Sequence, residues 1–414
     1  MKGRGNLFCR QCKNSNLEQI YNFGDMPIAN ELPTTKDSQI ELYPLEFKIC
    51  FKCGLGQVGE PITPKRLFED YRYESSISET WINNGLQFSK KMMKECDLGI
   101  NDLVVEIASN DGYLLQHFRN AGVSSIGIEP AGNIAKKANM KGIRTINKFF
   151  SEELAIELRS QHGKPRLIIA NNVLAHVPDL NDFFSGISQL SSEKTVVTIE
   201  NPSIVNIMHK NQYDTIYHEH FSYLSVNSVL RLADQNNLSL ISVEKLGTHG
   251  GTNRYFLREK GSVRPNANIQ NYAMEEKELG LFDREVWKGT STKITDSIDN
   301  IRNWFNSKSQ NQDKVIGFTA AAKSSTLINS VKLDEKKLKM VVDTSKEKQG
   351  RYIPLTMIPI VDIETAKKYN PTDIVIFSWN IAEEIYALIQ SEFNNSVRCW
   401  VLIPKIKQMG KNNG

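Results

Sequence analysis

Short apolar runs alternate with helix-like segments through the centre of the chain. Residues 103–107 form an apolar run that ends in a polar turn at 109–112, and apolar positions then recur at helical spacing over 114–118. A second apolar run, 123–128, stops at Glu129. In a doubly wound sheet, the turn after strand one and the acid after strand two lie at the same carboxyl edge, where ligands bind.

The same rhythm continues to the end of the chain and predicts an α/β fold. Further strands are predicted at 143–146, 167–170 and 196–200, with helical segments between them. The charge-rich stretch 269–305 carries apolar residues at helical spacing and is expected to be a helical connector. The rhythm resumes with strands predicted at 315–318, 340–343, 374–377 and 400–403. The last hundred residues are therefore expected to form further α/β structure.

The sequence of the turn after the first strand distinguishes between two kinds of nucleoside cofactor. NAD sites require G-x-G-x-x-G, which the stretch 106–112, E-I-A-S-N-D-G, lacks. The stretch looks more like the E-x-G-x-G-x-G turn of class I methyltransferases that use S-adenosylmethionine, with Ala108 and Asn110 at two of the glycine positions. Asparagine tolerates the left-handed conformation better than most residues, so the turn can survive the change. An ordinary βαβ unit without a ligand is the alternative.

Composition narrows the class of protein. A chain of 414 residues with 40% hydrophobic and 24% charged residues predicts two or three globular domains. The net charge of +4 gives no case for nucleic acid or an anionic membrane as the main partner. No apolar run approaches the roughly 18 residues of a membrane span, so a cytoplasmic protein is expected. No heptad seam stands out, which favours a monomer.

Two C-x-x-C pairs predict a structural zinc site. Cys9 and Cys12 form the first pair, and Cys50 and Cys53 form the second. Four thiolates close the tetrahedral shell of zinc and leave no open position for water. Redox dithiols are the alternative for these pairs. A zinc ribbon can also bind nucleic acid, but the residues between the pairs are not notably basic.

Two histidine-containing stretches suggest proton chemistry. His176 directly follows the fourth strand of the central domain, on the ligand side of the sheet, although a capping or core histidine would also fit there. Residues 217–223 read Y-H-E-H-F-S-Y. The H-E-H spacing is wrong for a zinc protease, which needs H-E-x-x-H. A histidine that takes a proton, a carboxylate that orients it and a tyrosine that donates to an oxyanion fit this stretch better.

Two turns rich in glycine or alanine are further candidates for ligand binding. His249-Gly250-Gly251 permits a sharp turn or a close ligand approach, although a hairpin alone would explain it. Small residues around Lys323 follow the first C-terminal strand and make a plausible anion cradle at a helix start. The P-loop pattern is absent there, so ATP hydrolysis is not expected.

Together these stretches resemble the sugar C-methyltransferases that act on nucleotide-linked 4-keto deoxysugars. The matching stretches are the two C-x-x-C pairs, Y-x-Y-x-S-S-x-S at 71–78, E-I-A-S-N-D-G-Y-L-L at 106–115, G-I-E-P-A at 127–131, N-N-V-L-A-H at 171–176, Y-H-E-H-F-S-Y at 217–223 and S-W-N at 378–380. The chain departs at Phe318-Thr319, where family members often carry Gly-Ala.

The resemblance implies three domains: a zinc-binding domain over 1–66, an S-adenosylmethionine-dependent methyltransferase domain with the helical connector over 67–305, and a Rossmann-like nucleotide-sugar-binding domain over 306–414. It also implies methylation at C3, beside a C4 ketone, of a dTDP- or GDP-linked sugar, with His220 as the base. An O- or N-methyltransferase and a zinc-ribbon nucleic-acid-binding protein are the alternatives.

The site residues follow from this interpretation. The predicted catalytic residues are His220, Glu219, Tyr217, His176 and Tyr71. The predicted cofactor-binding residues are Glu106, Ser109, Asn110, Asp111, Gly112, Glu129, Pro130, Asn171 and Asn172. The predicted substrate-binding residues are Tyr73, Ser76, Asn201, His249, Lys323, Ser324 and Arg351. The predicted zinc ligands are Cys9, Cys12, Cys50 and Cys53.

Overall fold

The computed structural model describes residues 8–15, 17–59, 62–68, 75–77, 79–393 and 396–410. Its strands are β1 (Leu17–Pro27), β2 (Leu42–Cys50), β3 (Gly56–Val58), β4 (Leu103–Ile107), β5 (Ser124–Ile128), β6 (Thr145–Ile146), β7 (Leu167–Asn171), β8 (Val196–Pro202), β9 (Ser222–Tyr223), β10 (Leu238–Leu246), β11 (Thr252–Glu259), β12 (Val315–Phe318), β13 (Val341–Val342), β14 (Ile360–Val361), β15 (Asp373–Ile376), β16 (Arg398–Val401) and β17 (Lys407–Gln408).

The helices lie mainly between the strands of the two larger sheets. They are α1 (Pro64–Phe68), α2 (Glu79–Glu95), α3 (Leu115–Asn120), α4 (Gly132–Met140), α5 (Glu152–His162), α6 (Leu180–Leu190), α7 (Val205–Lys210), α8 (Val226–Gln235), α9 (Asn268–Glu278), α10 (Arg284–Gln310), α11 (Ala322–Val331), α12 (Ile363–Tyr369) and α13 (Ala382–Glu392). The predicted connector is thus two helices, because the chain breaks at Gly280, which has a φ of +93°.

The central sheet is a mainly parallel seven-stranded sheet with the order β10-β11-β8-β7-β4-β5-β6. Strands β4 to β8 are parallel, whereas β11 pairs antiparallel with β8 and β10. The strand order reverses between β4 and β7, so a crevice opens at their carboxyl ends. The C-terminal sheet repeats this plan with the order β14-β13-β12-β15-β16-β17, and its reversal lies between β12 and β15. The predicted α/β fold class is confirmed.

A small antiparallel sheet at the N-terminus completes the fold and reaches into the rest of the chain. Its order is β1-β2-β3-β9, so its last strand comes from residues 222–223 of the central segment. One apolar core joins this sheet to α10 and to the C-terminal sheet, with Phe47, Trp287 and Phe305 completely buried within it. The small sheet, the connector and the C-terminal sheet therefore pack as neighbours around shared apolar side chains.

Candidate active site and metal centre

The four predicted zinc ligands converge on one point. Their sulfur atoms all lie within 4.8 Å of one another, and two Sγ–Sγ pairs, Cys9–Cys53 and Cys12–Cys50, are 3.6 Å apart. Tetrahedral zinc with Zn–S bonds of about 2.3 Å places its sulfurs about 3.8 Å apart, so the cluster fits this ion. Within the described part of the chain, no other group of three or more His, Cys, Asp or Glu side chains has metal-site geometry.

The turn after β4 adopts the backbone conformation of a glycine motif without most of its glycines. Ala108, Asn110 and Gly112 have φ values of +57°, +51° and +81°. These are the three positions at which E-x-G-x-G-x-G places glycine, because left-handed backbone is costly for residues with a Cβ. The conformation brings the backbone of the turn to the carboxyl edge of the sheet.

The acid after β5 is bound to this turn. The Glu129 carboxylate accepts hydrogen bonds from the backbone N–H groups of Asn110 at 3.0 Å and Ala131 at 2.9 Å. Burial raises the pKa of Glu129 to about 7. Burial also raises the pKa of Glu106 well above its usual range, and the nearby carboxylates of Glu129 and Asp111 add to the effect. A ligand that carries positive charge would favour the ionised forms of these acids.

Several buried polar atoms at this edge have no hydrogen-bond partner within the described residues. They are Glu106 Oε2, Ser109 Oγ, Asp111 Oδ1, Asn171 Oδ1 and Asn172 Oδ1. Buried polar groups are rarely left unsatisfied, so these atoms point to a polar ligand. These acceptor oxygens and the acidic edge fit S-adenosylmethionine, whose adenosine hydroxyls and cationic methionine part would lie along them. Pro130 contributes only its carbonyl, which accepts from Asn147 Nδ2 at 2.8 Å.

The segment before α2 contacts the turn after β4. The backbone N–H of Ser75 donates to Asn110 Oδ1 at 2.8 Å, and the Ser76 hydroxyl donates to Asp111. Lys141 Nζ reaches the same Asp111 oxygen at 2.7 Å. The structure therefore places Ser76, predicted to bind substrate, at the turn after β4. Two further predicted residues, Tyr71 and Tyr73, lie outside the described residues.

His220 is held by hydrogen bonds at both ring nitrogens. Its Nδ1 lies 2.9 Å from the carbonyl oxygen of Thr215, and its Nε2 lies 2.8 Å from the Tyr217 hydroxyl. A carbonyl only accepts hydrogen bonds, so Nδ1 carries a proton, and in the neutral ring Nε2 accepts from the tyrosine. In its neutral form the ring therefore has its lone pair at Nε2, which is the atom that can take a proton.

His176 lies beside this pair, in the 3₁₀ turn Leu174–His176 at the end of β7. The ring centroids of His176 and His220 are 4.8 Å apart. His176 Nδ1 donates to the main-chain oxygen of Glu219 at 2.7 Å, and burial lowers its pKa to about 4. His176 is therefore neutral near pH 7, and its Nε2 can accept a hydrogen bond but cannot donate one.

The Glu219 side chain does not follow the sequence-based expectation that it orients His220. Its Oε1 accepts from the backbone N–H of Asn30 at 3.0 Å, while Thr215 and Tyr217 hold the two His220 nitrogens. Adjacent residues in this turn point their side chains in different directions. Burial raises the pKa of Glu219, and Oε2 has no partner within the described residues.

A second polar cluster forms at the carboxyl edge of the C-terminal sheet. Lys323 Nζ donates to Asn380 Oδ1 at 2.6 Å and lies 4.6 Å from the centroid of the Trp379 ring. Trp379 Nε1–H in turn donates to Asp214 of the central domain at 2.7 Å. Burial lowers the pKa of Lys323, although Asp214 acts in the opposite direction. Lys348 lies nearby and pairs with Asp343 at 3.2 Å.

The remaining residues predicted to bind substrate lie in different parts of the structure. The Ser324 hydroxyl is engaged in its own turn, donating to Thr319 O at 2.7 Å. Asn201 Oδ1 accepts from the backbone N–H of Ala175 at 3.2 Å and so supports the turn of His176. Arg351 Nη1 donates to Leu32 O at 3.3 Å, between the C-terminal and N-terminal parts. His249 belongs to the 3₁₀ turn Thr248–Gly250 between β10 and β11.

Several residues that contact the predicted site residues were not themselves predicted from the sequence. They are Asn30, Lys141, Asp214, Thr215 and Lys348. Asn30 and Thr215 contribute backbone atoms, which every residue type carries, so no side-chain pattern could identify them. Asp214 has one signal, because it stands six residues before His220 and thus close to the Y-H-E-H stretch.

The two Rossmann-like sheets, the left-handed turn after β4 and the acid after β5 define a class I S-adenosylmethionine-dependent methyltransferase. Family models match along most of the chain: a zinc binding domain over residues 9–68, a methyltransferase domain over 79–243 and a C-methyltransferase C-terminal domain over 247–404. The C-methyltransferase NovU of Streptomyces niveus is 30% identical over 402 residues, which cover 96% of this chain and 95% of NovU. The chain belongs to this family of C-methyltransferases.

Solved structures also resemble part of the chain. An S-adenosylmethionine-dependent methyltransferase from Clostridium acetobutylicum ATCC 824 is 12% identical, with a TM-score of 0.35, over 44% of this chain and 92% of its own. Magnesium protoporphyrin IX methyltransferase from Synechocystis PCC 6803, solved with SAH, is 12% identical, with a TM-score of 0.35, over 47% of this chain and 92% of its own.

Family membership and the two sites together give the coarse function. The protein is a C-methyltransferase that uses S-adenosylmethionine, and its four-cysteine cluster is a structural zinc site. Across the described ranges, no helix is both long and apolar enough to cross a membrane.

Proposed function

We propose that the protein methylates the carbon beside the C4 ketone, with C3 favoured, of a nucleotide-linked 4-keto-6-deoxysugar. The observation that carries this proposal is the Tyr217–His220 pair, in which the Thr215 carbonyl fixes the ring with an accepting Nε2. A carbon becomes a nucleophile here only after a base removes its proton, whereas a hydroxyl needs less help. A neutral histidine with a fixed tautomer supplies that base.

In the proposed reaction, different residues of the chain carry out different steps. His220 Nε2 takes the proton from C3, and the electron pair of the C–H bond moves onto the ketone oxygen to give an enolate. The Tyr217 hydroxyl, released from Nε2 as that nitrogen is protonated, donates to the enolate oxygen. S-adenosylmethionine, when bound at residues 106–112, supplies the electrophilic methyl group that C3 takes up as the carbon–sulfur bond breaks. We assign His176, neutral and accepting at Nε2, to a sugar hydroxyl.

The C-terminal cluster supports a diphosphate-linked sugar as the acceptor. Lys323 stands in the first turn of α11, where the helix dipole disfavours a cation unless an anion is present. Lys348 and Arg351 follow β13 at the same edge of the sheet. The negative charge of a dTDP or GDP group would offset these cations. The reduced thiolates of the zinc site support a reaction in the cytoplasm.

An isotope experiment tests the proposal. Purified protein is incubated in heavy water with dTDP-4-keto-6-deoxyglucose or GDP-4-keto-6-deoxymannose, with and without S-adenosylmethionine. We expect deuterium beside the ketone without the cofactor, and a carbon-bound methyl group with it, by NMR and mass spectrometry. His220→Asn should abolish both signals and retain cofactor binding. Normal exchange in His220→Asn, or a methyl group on oxygen or nitrogen, would contradict the assignment.

A further inference from the structure

The first zinc knuckle contacts the segment that carries the proposed base. Arg10 lies between the ligands Cys9 and Cys12, and its Nη1–H donates to the carbonyl oxygen of Phe221 at 2.7 Å. Phe221 directly follows His220. The same carbonyl accepts from the backbone N–H of Val58 at 3.3 Å, so it is held from two sides.

Arg10 links β3 to Phe221, the residue that precedes β9. Its Nη2 lies 3.4 Å from Val58 O and 3.3 Å from Gly59 O, and its backbone N–H donates to Gln57 Oε1 at 3.0 Å. Gln57 of β3 is the partner of Ser222 in β9. The guanidinium also lies 5.6 Å from the ring centroid of Phe221, which is completely buried. A planar guanidinium can hold carbonyls of two segments in one fixed arrangement, whereas a lysine ammonium cannot.

We propose that Arg10 is a positioning residue for His220, through which the zinc knuckle sets the position of the base relative to the acceptor carbon. The inference rests on the proposed role of His220 as the base. Cys9 and Cys12 fix the backbone on both sides of Arg10, and the guanidinium transmits that position to the backbone next to His220. The zinc centre therefore contributes to catalysis by geometry, without contact to the reacting atoms.

Substitutions at Arg10 test this link in the full-length, zinc-loaded protein. In Arg10→Met we expect the rate of deuterium exchange to fall about 100-fold, because a misplacement of about 1 Å can cost that much. The KM for the keto sugar, the affinity for S-adenosylmethionine and the zinc content should stay unchanged. Arg10→Lys should lose less, because it keeps one donor. Lys52→Met is the matched control, since Lys52 is an exposed cation in the second knuckle.

A spectroscopic readout separates this inference from the proposed function. Imidazole ¹⁵N NMR, with the His220 signal assigned through His220→Asn, reports the tautomer and hydrogen bonds of the ring without turnover. Arg10→Met should shift the His220 signal, whereas Lys52→Met should not. An unshifted signal in Arg10→Met, or a loss of exchange that follows zinc content and is reversed by added zinc, would overturn the inference. Absence of exchange in the wild type would instead count against the proposed function, while the NMR comparison still decides the role of Arg10.

Discussion

Glu129 is subject to two opposing effects at the cofactor edge. Burial favours its neutral form and raises its pKa to about 7, while backbone N–H groups of Asn110 and Ala131 favour the carboxylate. We expect Glu129 to accept hydrogen bonds from both ribose hydroxyls of S-adenosylmethionine, which requires the ionised carboxylate. In the free protein, the raised pKa means that Glu129 stabilises the fold below its usual value of 4.5, and this contribution is lost as the pH rises through about 7.

Cofactor affinity should therefore depend on pH. We expect the affinity for S-adenosylmethionine to rise about tenfold per pH unit below the pKa of Glu129 and to level off above about pH 7, because binding favours the carboxylate. Titration calorimetry between pH 5.5 and about pH 8 measures this. Glu129→Gln should bind more weakly, with a flatter profile. If wild type and Glu129→Gln gave parallel profiles, Glu129 would not be the ribose acceptor.

Among individual residues, the sequence predicted which side chains lie near His220 better than it predicted their hydrogen-bond partners. Tyr217 and His220 come from one motif and do form a hydrogen bond in the structure. The motif also suggested that Glu219 orients His220, but its carboxylate contacts Asn30, which lies far away in the sequence. Contacts to a distant backbone group leave no mark in composition or spacing. The catalytic roles of these residues remain predictions that the isotope experiment addresses.

Among the elements, the turn after β4 shows how a motif can persist without its glycines. Asn110 tolerates its left-handed conformation, but Ala108 has no side-chain group to offset the cost of a φ of +57°. The C-terminal sheet uses a related arrangement, in which Thr319 has a φ of +74° and the next residue, Ala320, donates its N–H to Asp343 at 2.8 Å. In both sheets the acid after the second strand thus binds the turn after the first.

Ala108→Gly should stabilise the protein. Glycine adopts a positive φ without the Cβ penalty, so we expect a gain of up to about 1 kcal/mol, partly offset by the greater freedom of the unfolded chain. Ala135→Gly is the matched control, because Ala135 lies inside α4. That change should cost about 1 kcal/mol in helix propensity alone. Thermal unfolding of both variants tests the pair, and a loss of stability in Ala108→Gly would show that the alanine methyl group packs usefully.

Strands with both faces buried were predictable, and half-exposed ones were not. β4, β7 and β8 are buried along nearly their whole length and begin with apolar residues, and the predicted positions match them closely. β1 is largely half-buried or exposed and has two register irregularities, so its sequence shows no clear period of two. β9 has only two residues, and its pairing with β3 depends on a partner more than 160 residues away. Short strands of this kind are set by tertiary packing.

At the scale of the molecule, residues from both flanking parts hold the segment 213–223. The N-terminal part contacts it through Arg10 and Asn30, and the C-terminal part contacts it through Trp379. The Trp379 contact is made to Asp214, which is almost completely buried and whose second oxygen, Oδ1, has no partner within the described residues. Burial raises the pKa of Asp214 to about 6, and Lys323 and Trp379 act in the opposite direction.

Trp379→Phe should reveal how this contact depends on pH. The change keeps an aromatic ring and removes the N–H donor, so the buried carboxylate loses its partner at a cost of about 1–3 kcal/mol. The folded-state pKa of Asp214 then rises further above about 6, and the penalty grows as the pH rises through that value. Unfolding by denaturant should therefore show a larger loss at about pH 8 than at about pH 5.

Trp400→Phe provides the matched control, because Trp400 Nε1–H donates to a different buried carboxylate, Asp373, at 2.7 Å. Burial acts against ionisation there too, but hydrogen bonds from Lys308 and Arg398 lower the pKa of Asp373 overall. Asp373 therefore stays ionised across the same range and keeps two cationic partners. The loss of stability in Trp400→Phe should be smaller than in Trp379→Phe and equal at both pH values. Equal pH dependence in the two variants would mean that Asp214 does not titrate at the contact between the central and C-terminal sheets.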